Sequence, residues 1–283
     1  MFISKLIISF LLISIFFGFS FGFVSAYSVV RRLSLLGDIM SHSALPGIVY
    51  MFFFSHTKNF IYLILGGGIT SFLSTVLSFY LKKKTKMPKD SVYGLILSCF
   101  FSSGILGMAL IQKKSIEGQS MINNYIFGNF VTFVSGDLST YYFILTVVII
   151  LFFLTLKIQK ALSFDNLYSI SVYKNSKFFE FILLIATIFT ILVGLQAIGI
   201  LLMAALIIAP GAAARLISKS YNEVVFYSIL IAIFSFLNGT FFSFYFPNLP
   251  TGPVIAIFPI MICILIIFFK KLKYKFLKKE NLA

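Results

Sequence analysis

Apolar runs near 20 residues long alternate with short polar and basic breaks along this chain, the pattern expected when each run crosses hydrocarbon as a helix. Nine such runs stand out: Leu6 to Val30, Leu33 to Ser55, Phe60 to Leu81, Val92 to Ile111, Thr140 to Leu156, Phe179 to Gln196, Ile198 to Leu216, Val224 to Phe246, and Pro253 to Phe269. A backbone in lipid must satisfy its own polar groups, and a helix does so within each segment. The pattern therefore predicts an all-α polytopic membrane protein of about nine transmembrane helices, forming a single membrane domain over residues 1–283. Only Gly194, Gln196 and Gly199 interrupt the sixth and seventh runs, so a broken or re-entrant element there, with eight spans in all, is the fallback.

Composition agrees, with 60% of residues hydrophobic and 11% charged. A soluble domain needs more charge to cover its surface. The formal net charge of +15 raises the question of nucleic acid, but the lysines fall between apolar runs and no groove-reading motif accompanies them. Their placement is a topology signal instead. With the N-terminus outside, Arg31 and Arg32, Lys82 to Lys89, Lys157 to Lys177, Arg215 with Lys219, and Lys270 to Lys279 hold 19 of the 23 basic residues on the inner side. That is the positive-inside asymmetry, and contact with anionic lipid is a secondary use of the same charge. Lys5, the following apolar run and the small Ser25 and Ala26 also suit a cleavable leader, but the run is long for a leader core and Arg31 and Arg32 suit a retained first span.

Cys99 and Cys263 sit inside apolar runs and indicate neither a disulfide framework nor a thiolate site. No G-x-x-x-x-G-K-[ST] phosphate loop occurs, so any ATP that drives this protein is bound by another chain.

Of the acids Asp38, Asp90, Glu117, Asp137, Asp165, Glu180, Glu223 and Glu280, seven fall in loops, at span ends or in the tail and Asp38 alone lies well within a predicted span, and His42 is the intramembrane histidine. On a helix, Asp38, Ser41 and His42 share one face. Pro46 has no N–H for the carbonyl four residues back, which belongs to His42, so an acceptor is freed beside the imidazole. A carboxylate with an imidazole is a hard-to-borderline O/N set suited to Mn²⁺, Fe²⁺ or Zn²⁺ and poorly suited to Cu⁺. Two ligands are too few alone, and waters, other helices or a second copy of the chain would have to complete the shell. The same pair also fits polar glue between helices, or a proton relay. Gln196 is a second polar interruption that can line the outer mouth, while the small residues around Pro210 and Gly211 suit close helix packing.

Two longer runs resemble a known family. Arg31 to Gly47 (RRLSLLGDIMSHSALPG) looks like the signature after the first span of the zinc/manganese/iron-type ABC-transporter permeases, and Val193 to Ala214 (VGLQAIGILLMAALIIAPGAAA) resembles that family's late signature. Pro250 to Pro253 resembles the approach to its last span, and weaker similarity covers residues 91–107 and 127–138. Ile39 and Met40 stand where that family more often has small residues.

The resemblance implies an importer's permease in the bacterial cytoplasmic (inner) membrane. One of two identical permease subunits, it would be served by ABC ATPase subunits and an extracytoplasmic metal-binding protein. It implies that Asp38 and His42 meet the transported divalent metal, that no cofactor is permanently bound, and that the protein is not itself an enzyme. It also implies ATPase docking just after the late signature, at Arg215, Leu216, Ile217 and Lys219; the charged, polar run Arg215 to Glu223 itself suits a short helix along the membrane plane, the alternative being a basic loop that only fixes topology. An ion-coupled secondary carrier and an intramembrane metalloenzyme are the alternatives, the latter lacking an H-E-x-x-H ligand set.

Overall fold

The structure, a computed structural model, describes residues 2–56, 59–114, 125–126, 128, 138–173, 175–246 and 250–280. All nine expected runs are helical: α1 (Phe2–Val30), α2 (Ser34–Ser55), α3 (Phe60–Lys84), α4 (Lys89–Lys113), α5 (Leu138–Leu154), α8 (Ser176–Ile198), α9 (Ile200–Ile217), α10 (Tyr221–Tyr245) and α11 (Thr251–Glu280). Two short helices, α6 (Leu156–Phe164) and α7 (Asn166–Val172), occupy the stretch read from sequence as a basic loop. Glu117, Asp137 and most of the weaker similarity at residues 127–138 lie outside the described residues.

By apolar length and composition alone, the spans among the described residues number at most eight, the fallback number, against the expected nine. Seven of the described helices are long and apolar enough to cross a membrane, and eight if α5 and α6, bent by 60° at Thr155, count as one span. The helix that falls short is α2, 22 residues long. Its length suffices, at about 33 Å for 1.5 Å per residue against a hydrocarbon core of about 30 Å. Its composition does not, because Asp38, Ser41, His42, Ser43 and Pro46 dilute the apolar side chains. The sixth and seventh runs remain two helices, parted by Gly199, whose φ of 90° is open to glycine and strained for other residues.

The protein shelters α2 instead of exposing it to lipid. Packed between α3 and α4 and touching α8 and α9, it buries Leu36, Ile39, Met40, Leu45, Ile48, Val49 and Phe52. Against α3 the backbones nearly touch, since a Cβ on Gly47 would fall 2.1 Å from the Gly66 carbonyl oxygen. Such small-residue contacts let membrane helices approach closely where no hydrophobic drive separates helix from lipid. Ser71 Oγ adds a hydrogen bond of 2.7 Å to the Met40 carbonyl.

Neighbour contacts fix the helix directions. Gly18 and Gly22 of α1 lie against Ile233 and Ile229 of α10, so these two run antiparallel, as do α2 and α3. Gly104 and Gly107 of α4 meet Leu45 and Val49 of α2 in parallel, and Gly211 meets Ser25 within the last two turns of α9 and α1, which brings those two C-terminal ends together. Arg31, Lys82 to Lys84, Lys89, Lys157, Lys160, Lys177, Arg215 and Lys219 are thereby gathered at one end of the bundle. There Arg31 Nη2 meets Glu180 Oε1 at 2.6 Å, joining α1 to α8. Tags placed between Lys82 and Lys89 or at the C-terminus are expected to react only in permeabilised cells, because this basic end should face the cytoplasm. Labelling of either one in intact cells would invert the assignment.

The run from Arg215 to Glu223 is not a helix of its own, contrary to expectation. Helix α9 continues through Ile217, residues 218–220 turn, and α10 begins at Tyr221. The turn is closed by a reciprocal cap: Ser220 Oγ accepts from the Glu223 N–H, and Glu223 Oε2 accepts from the Lys219 N–H at 2.8 Å. With both termini capped locally, the segment gains nothing from a separate turn of helix.

Candidate functional site

Helix α2 presents Asp38 and His42 one turn apart, with His42 Nε2 3.4 Å from Asp38 Oδ1. The side chains are 24% and 16% exposed respectively, so they are half-buried instead of being sealed in the core. Both lie in the half of α2 nearer the basic end, Asp38 about 6 Å along the helix from its first residue by helical rise. The cost of holding the carboxylate ionised is thus less than at mid-bilayer.

The contact is long for an N–H···O hydrogen bond. Two donors each about 2.1 Å from one ion stand about 3.4 Å apart at a near-tetrahedral angle, so the spacing also matches two neighbouring ligands of a metal. Buried and without hydrogen-bond partners are Asp38 Oδ1 and His42 Nδ1, orphaned polar atoms of the kind a bound ion or water satisfies. Phe101 of α4 sets its ring against the imidazole edge-on, with centroids 5.0 Å apart and planes at 87°, which limits the ring's rotation.

Ser41 is brought to the same turn but its hydroxyl donates to the Asp38 carbonyl at 2.8 Å, a bond internal to the helix. Among the described residues no group of three or more His, Cys, Asp or Glu side chains could hold a metal ion, so the pair stands as a partial ligand set. Gln196 is not joined to it. Its Oε1 accepts from Tyr141 Oη at 2.7 Å, and Tyr141 packs on Phe60, the first residue of α3, with centroids 4.4 Å apart. Gln196 therefore sits at the end of the bundle where α2 finishes, about 25 Å of helix from Asp38.

The four expected docking residues lie at the basic end, where α9 ends. Arg215, Ile217 and Lys219 are exposed and Leu216 is half-buried. Lys270 Nζ of α11 donates to the Leu216 carbonyl, satisfying one of the acceptors a helix C-terminus leaves open.

Sequence reasoning missed Phe101, Tyr141 and Gln159. Phe101 is one of 37 phenylalanines and carries no distinguishing pattern, and Tyr141 lies in an apolar run. Gln159 is a neutral polar residue between Lys157 and Lys160, and its full burial, which a 3.6-residue count over 156–164 would have suggested, singles it out.

A sequence model of the family described as the ABC 3 transport family matches residues 4–270. The zinc transport system membrane protein TroC of Treponema pallidum is 32% identical over 244 residues, covering 86% of this chain and 82% of TroC. The manganese transport system membrane protein MntC of Listeria monocytogenes is 27% identical over 273 residues, covering 96% of this chain and 93% of MntC. In fold, the chain resembles a chain of the solved structure of PsaBC from Streptococcus pneumoniae in complex with Fab, with a TM-score of 0.76 at 22% identity over 92% of this chain and 90% of that one.

Proposed function

Because the chain belongs to the ABC 3 transport family, a multi-pass membrane protein of the bacterial cytoplasmic membrane, we propose that it is the permease of an ATP-driven importer for a divalent transition metal. The single observation carrying the metal reading is the Asp38–His42 pair, held 3.4 Å apart on a sheltered, polar helix with orphaned polar atoms on both side chains. Relatives named for zinc and for manganese support the cargo class, and the O/N donors accept Mn²⁺, Fe²⁺ and Zn²⁺ alike.

In this reading the metal is cargo. Asp38 contributes an anionic oxygen and His42 a ring nitrogen, Phe101 keeps the imidazole in register, and waters, the freed His42 carbonyl or the same pair on a second copy of the chain complete the shell. An extracytoplasmic metal-binding protein delivers the ion at the end that carries Gln196, which lines the outer mouth. A separate ABC ATPase docks at Arg215, Leu216, Ile217 and Lys219 and reverses the pore. The permease itself makes and breaks no covalent bond.

The test is metal uptake in a strain lacking its own importers, given this chain with or without its ATPase. Uptake of Mn²⁺, Zn²⁺ or Fe²⁺ that requires both is expected. Equal uptake from the chain alone would favour an ion-coupled carrier and overturn the proposal.

A further inference from the structure

Alternating access requires the two ends of a permease to open in opposite senses, whereas ATP acts at one end only. Something must carry the change across the membrane. Resting on the reading above, we propose that α5 is the strut that does so, with Gln159 and Tyr141 as the positioning residues that fasten its two ends.

At the basic end the chain bends by 60° between α5 and α6, and Gln159 of α6 is fully buried beneath that bend. Its Nε2 donates back to the Phe152 carbonyl at 2.8 Å and to Thr155 Oγ1 at 2.9 Å, while its Oε1 accepts from Tyr221 Oη at 2.8 Å. Tyr221 is the first residue of α10 and is itself buried, directly after the turn that follows the docking residues. One amide thus ties α5, α6 and the start of α10 together.

At the opposite end Tyr141 makes the bond to Gln196, four residues before α9 begins. Helix α9 returns to the docking residues at its far end, so α5 and α9 join the same two places. A helix of 17 residues spans about 25 Å and resists compression better than a loop of that reach. Buried hydrogen bonds between fully satisfied groups are costly to leave unmade, so displacing the start of α10 should carry α5 with it. Merely closing the α5–α6 bend would need Gln159 Nε2 alone. The third bond, to Tyr221, reaches outside the bend and is the one a strut requires.

The experiment uses the complete transporter, with its ATPase, in sealed vesicles, and reads metal moved per ATP hydrolysed. In Gln159→Met and in Tyr141→Phe, ATP hydrolysis is expected to continue while that ratio falls about two- to thirtyfold, the range found when a connecting network is interrupted. The double variant should fall no further than the worse single one, because either change severs the same strut. If Gln159→Met does not accumulate, Tyr221→Phe removes the same fastening by one hydroxyl. An unchanged ratio in Tyr141→Phe, or a double effect equal to the product of the singles, overturns the strut. Failure of the unaltered chain to retain any ATPase would overturn the importer reading and the strut with it, and it shows in the control.

Discussion

Asp38→Asn and His42→Ala are expected to reach the membrane at the level of the unaltered chain and yet to abolish metal uptake. The expectation rests on two opposed consequences of one geometry. Neither side chain makes a hydrogen bond that holds the bundle together, and the 3.4 Å contact between them is weak. Replacing the carboxylate by an amide removes a charge that is costly within a span, so insertion should if anything become easier. Uptake should fall by more than about 100-fold, beyond the 10–100-fold typical of changing only a partner of a metal ligand. Uptake of radioactive or fluorescently detected metal, normalised to permease in isolated membranes, measures the effect. Normal uptake in both variants would leave the pair as glue between α2 and its neighbours.

Replacing Leu216 and Ile217 by Asp, with Arg215 and Lys219 kept, should preserve insertion but detach the ATPase. The basic residues that fix topology are untouched. Two acids at a helix C-terminus cost only about 0.3–1 kcal/mol each, less than the packing that holds α9 against α1, α10 and α11. Ile217 is 40% exposed, and an apolar contact it makes with a partner would be lost outright. Co-purification of the ATPase should weaken about thirtyfold, the loss expected for removing a binding hot spot of ~2 kcal/mol. Retained ATPase with continued uptake would move the coupling surface to α6 and α7, where Lys157, Lys160 and Phe164 face outward.

The long helices were legible in the sequence because lipid imposes one demand on every residue of a run. Apolar length sets the span, and basic breaks such as Arg31–Arg32 and Lys82–Lys84 set its ends. Where that demand relaxes, the pattern misleads. Helix α11 continues from the expected Phe269 to Glu280, since lysine and leucine favour helix in water as well. Helices α6 and α7 are too short and too basic to register as spans, and the bend at Thr155 has no proline to announce it. The Asp38–His42 pair was legible because i and i+4 on a helix are neighbours by geometry alone. The placement of Gln196 was not, because its partner Tyr141 lies on another helix and nothing local links the two.

The polarity of α2 has a consequence for how the protein is made. A nascent chain meets the membrane one segment at a time, and the segment carrying Asp38 and His42 partitions into lipid less readily than its neighbours. The tight glycine seam between Gly47 and Gly66 belongs half to α2 and half to α3, so the first of the surfaces that shelter α2 does not exist until α3 has been synthesised. Biogenesis of α2 is therefore tied to a helix downstream of it. The two are expected to enter the membrane as a hairpin, with Asp38 and His42 making that step harder than its neighbours.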